Sequence, residues 1–83
     1  MKKQELVRHV AERMDTSEAT ASLWVDAVTE TIFEQLRLGE SVTLPRFGTF
    51  YVRPERTQWV FKFNPSQRLR AVLGWSSTYK GTP

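Results

Sequence analysis

Two stretches in the second half of the chain interleave cations with aromatic residues at strand spacing. In Thr49-Phe50-Tyr51-Val52-Arg53 and Gln58-Trp59-Val60-Phe61-Lys62-Phe63 successive side chains alternate between faces. Tyr51, Arg53 and Lys62 therefore share one face with Thr49, Gln58 and Val60, while Phe50, Val52, Trp59, Phe61 and Phe63 share the other. A face with two cations, one tyrosine and no acid suits a polyanion, because Arg and Lys neutralise phosphates and release counterions without reading sequence. Outward cations on a hairpin also discourage edge-to-edge association, which is the plainer account of the same residues.

Other chemistries find little support. The chain has no cysteine and one histidine, so a metal site has only His9 to start from, and His9 reads as boundary packing on a helix. No phosphate-binding loop and no nucleophile with a partner base is present, which argues against an enzyme, a cofactor or a small-molecule substrate. No apolar run approaches membrane-spanning length, and Met1-Lys2-Lys3-Gln4-Glu5 leads into a helical pattern rather than a signal-peptide core. These features predict a cytoplasmic protein with no membrane contact.

The net charge of +3 conceals an asymmetry. Through Glu40, five Lys/Arg stand against eight acids, giving −3; from Ser41 on, seven Lys/Arg stand against Glu55 alone, giving +6. The basic half is the one that holds the strand pattern, a bias that favours a polyanionic partner.

The elements that position these residues follow from periodicity. Leu6, Val7, Val10, Ala11 and Met14 recur at helical spacing and predict a helix over 3–14, interrupted by Asp15-Thr16-Ser17, whose side chains can cap the next one. A second helix is predicted from Glu18 to Arg37, closing at Gly39. Its stripe of Ala21, Val25, Val28, Ile32 and Leu36, flanked by Trp24 and Phe33, is broad enough to need two packing surfaces, one of them across a dimer. A monomer of 83 residues buries a modest share of its surface, which points the same way.

Val42-Thr43-Leu44 reads as a short strand ended by Pro45, and Gly48 supplies backbone freedom for reversal between Phe47 and Phe50. The hairpin strands Thr49–Arg53 and Gln58–Phe63 are expected to flank a loop of Pro54-Glu55-Arg56-Thr57, pairing Val52 with Trp59 and Phe50 with Phe61. Asn64-Pro65 is expected to open a short helix over Ser66 to Leu73 that buries Leu69, Val72 and Leu73, exposes Arg68 and Arg70, and stops at Gly74. Residues 75–83 show no period and are expected to form a flexible tail after a single domain over 1–74; Trp75 and Tyr79 are expected to fold back on the dimer.

The order helix, helix, short strand, turn, hairpin, short helix resembles the HU/IHF family of histone-like DNA-binding proteins. The resemblance rests on K-K-Q-E-L-V at the start, L-R-L-G-E-S-V-T-L-P at the end of the second helix, F-G-T-F-Y-V-R at the turn, and F-N-P-S-Q-R-L. It covers nearly all of the chain up to Leu73. It implies an α+β fold assembled as an intertwined homodimer, or a heterodimer with a paralogue, with a three-stranded antiparallel sheet and a basic saddle for duplex DNA. Nucleoid association, nonspecific binding and bending governed by deformability follow from the same resemblance. Within that frame the DNA-contacting set comprises Lys3, Arg46, Tyr51, Arg53, Arg56, Lys62, Arg68 and Arg70, with Lys2 extending the footprint. The core and dimer interface comprise Val25, Val28, Ile32, Leu36, Phe47, Phe50, Phe61 and Phe63.

One departure stands out. Family members extend the hairpin into a long basic arm tipped by a wedging proline, whereas here only Pro54-Glu55-Arg56-Thr57-Gln58-Trp59 lies between Arg53 and Val60. At about 3.3 Å per residue each strand is shorter by roughly 25 Å, so strong kinking is expected to be lost. Asn64 and Gln67 replace lysines common in the family, and Arg46 replaces a glycine. A rival reading is a repurposed dimer that binds protein through its aromatic surfaces. A helix-turn-helix mode is disfavoured because Asp26, Glu30 and Glu34 on the second helix repel phosphates.

Overall fold

The computed structural model describes residues 1–74; the predicted tail, with Trp75 and Tyr79, lies outside the described residues. The order is α1 (Lys3–Met14), α2 (Glu18–Arg37), β1 (Val42–Leu44), β2 (Gly48–Glu55), β3 (Gln58–Pro65) and α3 (Gln67–Val72). This is an α+β arrangement with one antiparallel sheet in the order β1-β2-β3. The chain divides into two compact units, the first Met1–Glu34 and the second from Gln35 onward.

In the first unit, local chemistry fixes the helix ends. The Lys2 backbone N–H donates to Glu5 Oε1 at 3.3 Å, which satisfies a donor at the start of α1. Asp15 ends the helix in the left-handed region at φ 54°, and its N–H and that of Thr16 turn back onto carbonyls of the last turn. Ser17 then caps α2 by accepting the Thr20 N–H on its Oγ at 3.1 Å. Val7, Ala11 and Ala21 are buried, with Val10 and Val25 packed against them. Farther along α2, Ile32 and Leu36 are half-buried, whereas Val28 of the stripe is 53% and the flanking Phe33 54% exposed.

In the second unit, α2 closes with Gly39 at φ 82°, where the Glu40 N–H reaches the Gln35 carbonyl and the Gly39 N–H the Leu36 carbonyl, both at 3.0 Å. Leu44-Pro45-Arg46-Phe47 joins β1 to β2, with the Phe47 N–H donating to the Leu44 carbonyl at 3.0 Å and Arg46 at φ 70°. Proline second and a positive φ third is the pattern of a type II turn. The reversal thus falls on Pro45 and Arg46, and Gly48 is the first residue of β2.

The hairpin corrects the expected register. Phe50 pairs with Phe63, Val52 with Phe61, Pro54 with Trp59 and Glu55 with Gln58, so the turn is Arg56-Thr57 alone rather than Pro54 to Thr57. Pro54 is compatible with a strand here because β1 pairs only with Gly48 to Phe50, leaving that edge of β2 open, and the second pair from a two-residue turn exchanges no ladder bonds. A shift of two residues keeps every side chain on its predicted face. It also adds Glu55 to the cationic face, which was expected to carry no acid.

The start of the last helix is also corrected. Asn64-Pro65 ends β3, and the cap is Ser66, whose Oγ accepts the Leu69 N–H at 3.3 Å. The Ser66 N–H in turn donates to the Phe47 carbonyl at 2.9 Å, tying the start of α3 to the β1–β2 turn. The helix stops at Val72 rather than Leu73. Leu69, expected to be buried, is half-buried, and Val72, 79% exposed, and Leu73 lie open, because a six-residue helix has too little surface to cover them within one chain.

Candidate nucleic-acid interface

The outward face of the hairpin brings together Thr49, Tyr51, Arg53 and Glu55 from β2 with Gln58, Val60, Lys62 and Asn64 from β3, the register setting Tyr51 opposite Lys62 and Arg53 opposite Val60. Thr43 of β1 joins this face through a hydroxyl contact of 3.0 Å with Thr49. Arg70 of α3 is tied to it as well, its guanidinium donating to the Asn64 side-chain carbonyl. Strand pairing and one helix-to-strand hydrogen bond thus place Arg53, Lys62, Arg70 and Tyr51 in one polar region.

Glu55 organises the cations. Its Oε2 accepts from Arg53 Nη2 at 2.7 Å and Nε at 3.2 Å, and lies 3.3 Å from Lys62 Nζ. The hydrogen bond from Arg53, and then that from Lys62, holds the Glu55 carboxyl below the usual carboxylate range, while Glu55 raises the Arg53 pKa in return. Exposed pairs of this kind are screened by water and salt and contribute little to stability, so their weight lies in which anion the cations engage.

The remaining candidates occupy separate places. Arg46 and Arg56 stand at the two ends of β2, each in a turn and each at positive φ, 70° and 59°. Arg68 is exposed on α3. Lys3 belongs to the first unit, where its Nζ lies 2.8 Å from Asp26 Oδ1. Sequence reasoning missed the part played by Glu55, although a carboxylate two residues beyond Arg53 on an extended strand must share its face.

The opposite face of the sheet is apolar. Phe50 and Phe63 lie 4.9 Å apart between ring centroids, with Phe47 5.6 Å from Phe63 and Phe61 6.3 Å from Phe50. The cluster runs toward the hairpin tip, where Phe61 is 57% and Trp59 64% exposed. Among the described residues no group of three or more His, Asp or Glu could hold a metal ion, and no helix is long and apolar enough to cross a membrane.

A helical pair, a three-stranded meander and a short closing helix, with cations on one sheet face, describe an HU-type module. Residues 1–61 match the family model of the bacterial DNA-binding proteins, and the chain belongs to that family, the HU/IHF proteins. Among curated relatives, HU-beta of Neisseria meningitidis is 45% identical over 58 residues, covering 68% of this chain and 65% of the relative. The chain thus spans somewhat under two thirds of that relative's length. Among solved structures, HU from Thermotoga maritima superposes with a TM-score of 0.75 at 35% identity, covering 87% of this chain and 97% of that one. Anabaena HU, crystallised with DNA, superposes at 0.81 with 28% identity, covering 89% and 98%.

Proposed function

We propose that this protein is a dimeric architectural DNA-binding protein that engages duplex DNA without sequence preference through its hairpin faces and bends it less than a long-armed relative. The observation that carries this reading is the polar hairpin face, where Tyr51, Arg53 and Lys62 lie together and Asn64 links in Arg70. Arg46, Arg56, Arg68 and Lys3 extend the footprint as phosphate contacts that position the duplex. Residues 1–74 act as one domain in the cell's nucleoid, with no catalytic role.

Dimerisation is supported by what a single chain leaves uncovered. Val28, Phe33, Phe47 and Phe61 are all exposed, while the buried residues among those described are small. Each unit by itself leaves large apolar side chains exposed, and a second copy supplies the missing half of the core. Weak bending follows from hairpin strands of eight residues joined by a two-residue turn, which are too short to wrap the duplex or drive a wedge between base steps.

Gel shifts test the proposal. Reversing both cations, Arg53→Glu with Lys62→Glu, is expected to weaken binding of a short duplex by at least about tenfold at low salt. Unchanged binding would remove the hairpin face from the account. The exposed Trp59 and Phe61 favour a second reading, a protein-interaction module, which predicts a partner retained in pull-downs after nuclease treatment and no duplex binding.

A further inference from the structure

We propose that Glu55 is an internal stand-in for a DNA phosphate: its carboxylate occupies Arg53 and Lys62 in the free protein, and duplex DNA must displace it to engage the hairpin face. The proposal rests on the DNA-binding reading and adds to it an autoinhibitory contact.

The geometry is that of an anion site already filled. A single oxygen, Oε2, receives two nitrogens of Arg53, at 2.7 and 3.2 Å, and faces Lys62 Nζ at 3.3 Å. A non-bridging phosphate oxygen carries comparable charge and accepts from the same donors, and arginine's fork is suited to either. Arg53 and Lys62 lie on neighbouring strands, so Glu55 bridges the two sides of the hairpin. Charge placement adds to the case. Of nine acids in the chain, Glu55 alone follows Glu40, and it sits on the two cations that β2 and β3 carry.

Two consequences follow. Occupied by Glu55, the trio presents one net positive charge instead of two, which lowers the attraction the hairpin exerts on a duplex. The contact is also exposed, so it yields to competition: an anion offering several oxygens at once, as a DNA backbone does, displaces it, whereas an isolated weak anion does not. Glu55 thereby raises the threshold for binding without abolishing it.

A double-mutant cycle on the full chain, read by duplex affinity at a fixed salt concentration, tests this. Glu55→Gln keeps the size of the side chain and removes its charge. In the otherwise unaltered protein it is expected to tighten duplex binding by about five- to tenfold and to steepen the dependence of log K on log salt by about one per subunit. In an Arg53→Gln, Lys62→Gln background the same substitution is expected to change affinity less than about twofold, since the cations it masks are gone. An equal gain in both backgrounds would reduce Glu55 to general charge. Unchanged or weaker binding by Glu55→Gln would overturn the proposal, the weaker case making Glu55 a residue that pre-positions the cations. If the unaltered protein binds and the Arg53, Lys62 double variant binds measurably but more weakly, the DNA-binding reading stands whatever Glu55 does. If neither the unaltered protein nor Glu55→Gln binds at low salt, both fall.

Discussion

Gly48 and Phe63 approach so closely that a side chain on Gly48 has nowhere to go. A Cβ built there would lie 2.7 Å from Phe63 Cζ and 2.6 Å from the Asn64 carbonyl oxygen, and the residue sits at φ 155°. The aromatic cluster of Phe47, Phe50 and Phe63 is thus laid directly over bare backbone, at the point where β1, β2 and β3 meet.

Gly48→Ala is therefore expected to cost roughly 3 kcal/mol, combining overpacking against an aromatic ring with backbone strain. Thermal unfolding followed by circular dichroism checks this. In a small domain such a loss is a large share of total stability, so a melting temperature within a degree or two of the parent would contradict the packing described.

Arg46 and Arg56 separate stability from charge. Both hold a left-handed conformation that glycine adopts without cost, Arg46 third in a type II turn and Arg56 first in a two-residue hairpin turn where Thr57 does not share the positive φ. Arg46→Gly and Arg56→Gly are each expected to gain about 0.5–1 kcal/mol, the relief of strain being partly offset by the greater freedom of an unfolded glycine. Each is also expected to lower duplex affinity by removing a phosphate contact. A variant that melts higher and binds more weakly bears out both roles; one that melts lower would contradict the turn assignments.

The Glu55 carboxyl gives a prediction in pH. Because its pKa is depressed in the folded state by Arg53 and then Lys62, the contact is present at neutral pH and is lost as pH falls through the depressed value, below the roughly 4.3 usual for glutamate. Stability contributed by this group declines only in that acid window. A carboxyl-resolved NMR titration of Arg53→Gln is expected to show the Glu55 midpoint moving upward toward the usual value, and an unmoved midpoint would contradict the hydrogen bonding seen.

Self-association predicts that melting depends on concentration. If Val28 and Phe33 are covered by a second subunit, dilution lowers the melting temperature, and Val28→Asp shifts the molecule toward unfolded monomer. Sedimentation of the parent at the mass of a single chain, with melting independent of concentration, would contradict the dimer.

Much of this architecture is legible in the residues themselves. The bounds of α1 and α2 follow from the spacing of their apolar positions and from Ser17 and Gly39, where cap chemistry is local. The two faces of the hairpin are legible too, since alternation survives a register shift of two. The turn itself is not. Arg56-Thr57 lacks the Asn or Gly that usually marks a two-residue reversal, and Pro54 has the composition of a loop start, so neither the strand position of Glu55 nor its contact with Arg53 is legible in the residues. Asn64-Pro65 misleads in the same manner, as a strand end that carries the composition of a helix start. The exposure of Val72 and Leu73 has another origin, because periodicity marks which positions are apolar and not which surface covers them.

The most direct measurement is the equilibrium affinity for a short duplex of mixed sequence, taken across a range of salt concentrations. With Arg53, Lys62 and Arg70 meeting a phosphate backbone, binding is expected at low salt and falls linearly in log K against log salt, with a slope of several and little change when the sequence is scrambled. No binding at low salt, or a slope near zero, would contradict it.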